Sequence, residues 1–290
     1  MVDTLLEPLQ YAFMVRGLVA AIVVGIVCAV IGTYVVLRGM AFFGDALAHS
    51  ILPGVAVGYL VSGGARESLF WWALAASLVA SVAISAVSRA AKIKQDTAIG
   101  IIFAGMFALG VALISTVRSY TVDLTHFLFG DVLGVGPRDL ILTIVFGLAI
   151  ILMVIAFFKE FLILSFDPIL AGTLRLPTVL LEYLLVGLIA LAVVVSLQTV
   201  GVALMVAMLV TPAATGYLLS RRLSTMMLLA AFYAAFSAVV GLYLSYYLNI
   251  ASGAAIVLTT TTLFGLTWLV VTIRQRRTIQ AQIAEQVGHR

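Results

Sequence analysis

Met40-Ala-Phe-Phe-Gly-Asp45-Ala-Leu-Ala-His49-Ser-Ile-Leu-Pro53-Gly-Val-Ala-Val-Gly-Tyr59 reads as membrane sequence carrying two ionisable side chains. Asp45 and His49 are four apart, which places them on one face of a helix. Either would be costly against lipid, and ionisable groups inside a span are functional candidates by default. The spacing alone leaves two readings open. The pair is half of a divalent metal site, or it is an Asp–His hydrogen bond holding helices together.

The whole chain supports the membrane reading. It is 64% hydrophobic and 10% charged, with a mean hydropathy of +1.24, whereas soluble domains carry roughly 25% charged residues. The polar gaps are too short for a soluble ATPase, protease or nucleic-acid-binding module, so no nucleic-acid partner is expected and the net charge of +4 marks loops instead. The single cysteine, Cys28, lies in an apolar run and reads as a small core residue. No basic region precedes the first apolar run, so a cleavable signal peptide is not expected.

A helix needs about 20 apolar residues to cross the bilayer core. Candidate spans are 11–37, 46–61, 69–87, 98–117, 140–158, 179–197, 200–219, 226–248 and 253–273. The expected fold is an all-α polytopic membrane protein of about nine transmembrane helices, with eight to ten as the range. The sixth and seventh are separated only by Gln198-Thr199, so one of them is a candidate half-inserted segment. Positive residues favour the cytoplasm. With the C-terminus inside, the cytoplasmic side holds Arg38, Arg89, Lys92, Lys94, Lys159, Arg175, Arg221, Arg222 and the Arg-rich tail. The outside receives only Arg16, Arg66, Arg118 and Arg138.

Two connections are longer than turns. The external segment 118–139 contains Asp123, His126 and Asp131. Asp123 and His126, three apart, are candidates for an external metal contact, beside the plainer reading of a cap or loop anchor. The internal segment 159–178 contains Asp167-Pro168, a capping carboxylate followed by Pro at the first helical position. A helix of about two turns is expected there, with Pro177 preventing its continuation.

Within 197–217, Gln198 opens the segment and Thr211-Pro212 interrupts it, and Pro212 removes a backbone donor. Such breaks are tolerated where they line a cavity, so Gln198, Thr211 and Pro212 are candidate pathway residues; an ordinary Pro kink is the alternative. Asn249-Ile-Ala-Ser-Gly253 reads as an external turn. Thr259 to Thr262 read as hydrogen-bonding glue between helices.

These stretches resemble the manganese/zinc/iron-type ABC importer permeases. The resemblance rests on the segment from Leu37 to Ala56, on Asp96-Thr-Ala-Ile-Gly100, on Asp123-Leu-Thr-His-Phe-Leu-Phe-Gly130, on Ser165-Phe-Asp-Pro168 and on 200–215, in order along 16–270. It implies a permease domain over 1–273 and a cytoplasmic tail over 274–290, in the cytoplasmic (inner) cell membrane. It also implies two cytoplasmic ATP-binding subunits, an extracellular or periplasmic metal-binding protein and a second permease subunit, identical or paired. Asp45 and His49 are then the metal ligands. Asp167, Pro168, Ala171, Gly172 and Pro177 belong to a coupling helix that docks on the ATPase. The metal is transported cargo, Mn²⁺, Zn²⁺ or Fe²⁺, with the wording around His49 leaning to manganese, and no permanently bound cofactor is implied.

Carboxylate and imidazole donors suit those ions, and the absence of thiolate argues against Cu⁺. The chain has no Gly-x-x-x-x-Gly-Lys-Ser/Thr loop, so it is not expected to be an enzyme hydrolysing ATP. An ion-coupled secondary metal transporter is the alternative; it would need no docking helix. An intramembrane metalloprotease would need a His-Glu-x-x-His arrangement, which is absent from the sequence.

Overall fold

The computed structural model describes residues 7–62, 66–116 and 132–288. Among these the regular structure is helical, with nine helical segments long and apolar enough to cross a membrane. In chain order the helices are α1 (Ala12–Leu37), α2 (Phe43–Ser50), α3 (Leu52–Ser62), α4 (Arg66–Ala91), α5 (Gln95–Ser115) and α6 (Pro137–Ala156). Then come α7 (Phe158–Phe166), α8 (Pro168–Thr173), α9 (Thr178–Val200), α10 (Val202–Leu219), α11 (Leu223–Leu248) and α12 (Ser252–Gly288).

α10 and α11 pack on each other and on both α1 and α12, while α3, α4 and α5 form a second group. α9 joins the two groups by packing on both α4 and α1. The apolar content is distributed by face rather than by polarity. On α6, Thr143, Gly147, Ile150 and Val154 are buried, while Ile141, Val145, Leu148, Leu152 and Ile155 are exposed. Both sets repeat at helical spacing, as expected of a helix with protein on one side and lipid on the other. Close approach comes from small residues: Gly54 on α3 lies against the backbone of Trp72 on α4.

Two glycines set the turns that matter for the site. α1 ends at Leu37, and Gly39 takes φ +68 with the Gly39 N–H donating to Val36 (3.1 Å) and the Met40 N–H to Val35 (2.9 Å). This is a Schellman turn with glycine at the left-handed position. It sends the chain straight back into the bundle, where Met40 and Phe43 are fully buried. Between α9 and α10 the break is at Gly201 (φ 79, ψ 172), not at Gln198-Thr199. Residues 198–200 therefore complete α9, and both helices are long enough to span.

Three other expectations change. The second span is two helices, α2 and α3, because Pro53 has no N–H to offer the carbonyl of His49 four residues before it; that carbonyl accepts from Ile51 N–H instead. α8 is stopped before Pro177 is reached. Arg175 adopts φ 57, its N–H donates to Gly172 (3.0 Å), and the Leu176 N–H donates to Ala171 (3.1 Å). Pro177 then sits at the start of α9. Thr259, Thr260 and Thr262 donate to carbonyls four residues back in α12 rather than to another helix. Tyr233 Oη and Thr267 Oγ1, 3.4 Å apart, link α11 to α12.

Candidate metal centre

α2 is buried at Phe43, Gly44, Ala46, Leu47, Ala48 and Ser50, and is open only at Asp45 and His49. The two side chains are 45% and 32% exposed, with Asp45 Oδ1 and His49 Nε2 3.6 Å apart. That separation exceeds a hydrogen bond. Both groups lie on one helix, so their contact holds no two helices together. Two ionisable groups thus form the single open stripe of an otherwise packed helix.

α5 runs beside α2 and α3 and walls the stripe. The imidazole of His49 faces Phe103 and Phe107, each ring centroid 6.0 Å away, the second edge-on at 90°. Gly110 further along α5 lies against Leu52. At the α2 start, an open cavity of about 270 Å³ is lined by Phe42, Asp45, Ala46, Asp96, Ile99, Gly100 and Phe103. Asp96 occupies the first turn of α5. In the sequence Asp96 is marked only as an acidic residue at the mouth of an apolar span. Among the described residues no group of three or more His, Cys, Asp or Glu side chains is clustered to hold a metal. One chain therefore supplies Asp45 and His49, with Asp96 on the rim of the cavity.

The other candidates separate into three places. Pro212 is buried inside α10, and Thr215 donates to the Thr211 carbonyl at 2.8 Å. Leu209, three residues before Pro212, packs on Gly44, so the Thr211-Pro212 stretch sits beside the start of α2. Gln198 is at the opposite end of the bundle, where its side-chain amide donates to Asp139 Oδ1 of α6 (3.1 Å). Asp123 and His126 lie outside the described residues.

Between the fifth and sixth spans, Asp167 caps α8 by accepting from the N–H groups of Ile169 (3.0 Å) and Leu170 (2.9 Å). Ala171 is fully buried and anchors α8 to its own chain, whereas a Cβ at Gly172 would meet nothing. Ile169, 81% exposed, with Leu170 and Leu174, forms the outward apolar face. Glu182 of α9 pairs with both Arg38 and Arg89, a cluster the sequence reading missed because its members are more than 90 residues apart or split between spans.

Nine helices among the described residues that are long and apolar enough to cross a membrane define a polytopic helical membrane protein. The model of the family described as "ABC 3 transport family" matches residues 10–271, and the chain belongs to that family. It is 46% identical over 261 residues to "Manganese transport system membrane protein MntC" of Listeria monocytogenes, covering 90% of this chain and 91% of the relative. It is 38% identical over 258 residues to "Probable iron transport system membrane protein" of Haemophilus influenzae, covering 89% and 93%. Among solved structures, "PsaBC from Streptococcus pneumoniae in complex with Fab" aligns with a TM-score of 0.79 at 40% identity, covering 92% of this chain and 95% of that one.

Proposed function

We propose that this chain is the permease subunit of an ATP-binding-cassette importer for a divalent transition metal, with manganese favoured. The observation that carries the reading is the open face of α2, where Asp45 and His49 are the only residues of the helix that are not buried. Asp45 and His49 are the ligands. Each copy brings two donors, so a second permease subunit facing the first supplies a four-ligand site without a permanent cage. Mn²⁺, Zn²⁺ and Fe²⁺ all accept such donors; the name of the Listeria relative supports manganese. Asp96 lends the inner cavity a second carboxylate, and the Thr211-Pro212 stretch of α10 lines the route beside it.

Energy comes from cytoplasmic ATP-binding subunits, which engage the outward face of α8. An external metal-binding protein delivers the ion to the opposite face, which includes the segments 118–139 and 249–253, and the complex resides in the cytoplasmic (inner) cell membrane. The site must release its cargo, which suits two exposed donors per chain better than an enclosed cluster. Reconstitution with the ATPase tests the reading. ATP hydrolysis and uptake should be stimulated by Mn²⁺ above Zn²⁺ and Fe²⁺, and uptake that proceeds without any ATPase overturns it.

A further inference from the structure

We infer that Glu182 is the positioning residue that carries movement of α8 to the Asp45/His49 helix, an inference that rests on the docking role proposed for α8. Glu182 lies in the second turn of α9, the helix that follows α8 through the 174–177 turn. α8 is not free to swing alone. Ala171 is fully buried, and the Leu176 N–H is bonded back to its carbonyl. Displacing α8 therefore displaces the start of α9.

Glu182 connects that start to the other two helix ends. Its Oε1 meets Arg38 Nη2 at 3.4 Å, and its Oε2 meets Arg89 Nη2. Arg38 is the C-cap of α1, immediately before the Gly39 turn that leads into α2. The arginine grasped by Glu182 is thus separated from the metal-pair helix by one tight turn, pinned into the bundle at Met40. Arg89 closes α4, which packs on α3.

The cluster is built to re-pair rather than only to hold. Arg38 and Glu182 are 13% and 14% exposed, yet Arg38 Nη1 is buried with no hydrogen-bond partner. Tyr34 and Ser85 are also buried with unpartnered hydroxyls. They precede Arg38 and Arg89 by four residues, so they lie on the same faces one turn deeper. Buried donors without partners are costly. Here they provide alternative partners for the carboxylate when α9 shifts, and stepwise exchange of partners along a helix is an established way for packed elements to switch. Two cations on one anion also leave Glu182 paired if either arginine moves away.

The test compares metal moved per ATP in the permease–ATPase complex in liposomes loaded with Mn²⁺. Glu182→Gln should co-purify with the ATPase and bind Mn²⁺ as the parent does, but move about tenfold less metal per ATP. Parental metal per ATP in Glu182→Gln overturns the inference. A charge left unpaired by a single change can prevent folding, so Arg38→Met/Arg89→Met/Glu182→Leu is the second variant. It should assemble and remain uncoupled. If it assembles and transports normally, or if neither variant assembles, the cluster is structural glue and the inference is overturned. Ile169→Asp reports the α8 reading separately. If it retains bound, coupled ATPase, the docking role falls and the route loses its origin; if it detaches the ATPase while Glu182→Gln stays coupled, only the Glu182 step fails.

Discussion

Gly32 on α1 lies directly against the carbonyl oxygen of Leu209 on α10, where a Cβ at position 32 would overlap that oxygen. The contact is backbone, so no side-chain rotation relieves it. Leu209 also packs on Gly44, which ties this contact to the start of α2, the helix that carries Asp45 and His49. Gly32→Ala should therefore separate α1 from α10 and destabilise the protein by about 1–3 kcal/mol, the usual cost of overpacking. Gly105→Ala on α5, where an added Cβ meets nothing, is the control. Thermal unfolding in detergent measures both, and equal stability of the two variants would contradict the packing.

Asp45→Asn and His49→Ala should each lower uptake at least tenfold while the protein still assembles with its ATPase, since each removes one donor from an open pair. Asp96→Asn should have a smaller effect, because Asp96 shares the cavity with Asp45 and not the helix face. Isotopic manganese uptake checks the order. Parental uptake in both Asp45→Asn and His49→Ala removes the metal assignment.

Asp167→Ala should weaken α8 by about 1 kcal/mol, because its carboxylate satisfies two N–H groups at the helix start. Ile169→Asp should reduce ATPase co-purification more strongly, since the side chain projects from the outward face. Replacing Ala171 by Trp should instead damage the fold of the chain itself, because that side chain is buried. An Ala171→Trp protein of normal stability would contradict this division of the helix.

Gln198 and Asp139 join the end of α9 to the start of α6. A double-mutant cycle on Gln198→Leu and Asp139→Leu should give a coupling of about 0.6 kcal/mol and below about 2 kcal/mol, as for other interhelical polar bonds in membrane proteins. If Gln198 also lines the pathway, Gln198→Leu should lose uptake where Asp139→Leu, at equal stability, keeps it.

The spans alternate so that Ala251 and Lys94 fall on opposite sides, and the charge bias of the loops predicts Ala251 outside and Lys94 inside. Cys28 is fully buried, so the natural thiol gives little background. Ala251→Cys should be labelled by an impermeant maleimide in intact cells, and Lys94→Cys only after the membrane is opened. The reverse pattern would invert the orientation.

The sequence by itself determined the number of spans and named the metal-pair candidates, and its loop charges gave the expected orientation. Apolar length and the charge of loops are local properties, summed along the chain without knowledge of what packs where. The cap of α8 was legible for the same reason: Asp167 bonds N–H groups only two and three residues away. Tertiary structure decided what periodicity does not encode in a chain where both faces of a helix are apolar. Only packing revealed that α2 is open solely at Asp45 and His49, that Ala171 faces inward, and that the α9 break falls at a glycine with φ 79. The Arg38–Glu182–Arg89 cluster required it most. Its arginines looked like ordinary markers of cytoplasmic loops, and only the convergence of three helix ends gives them a shared, partly buried carboxylate.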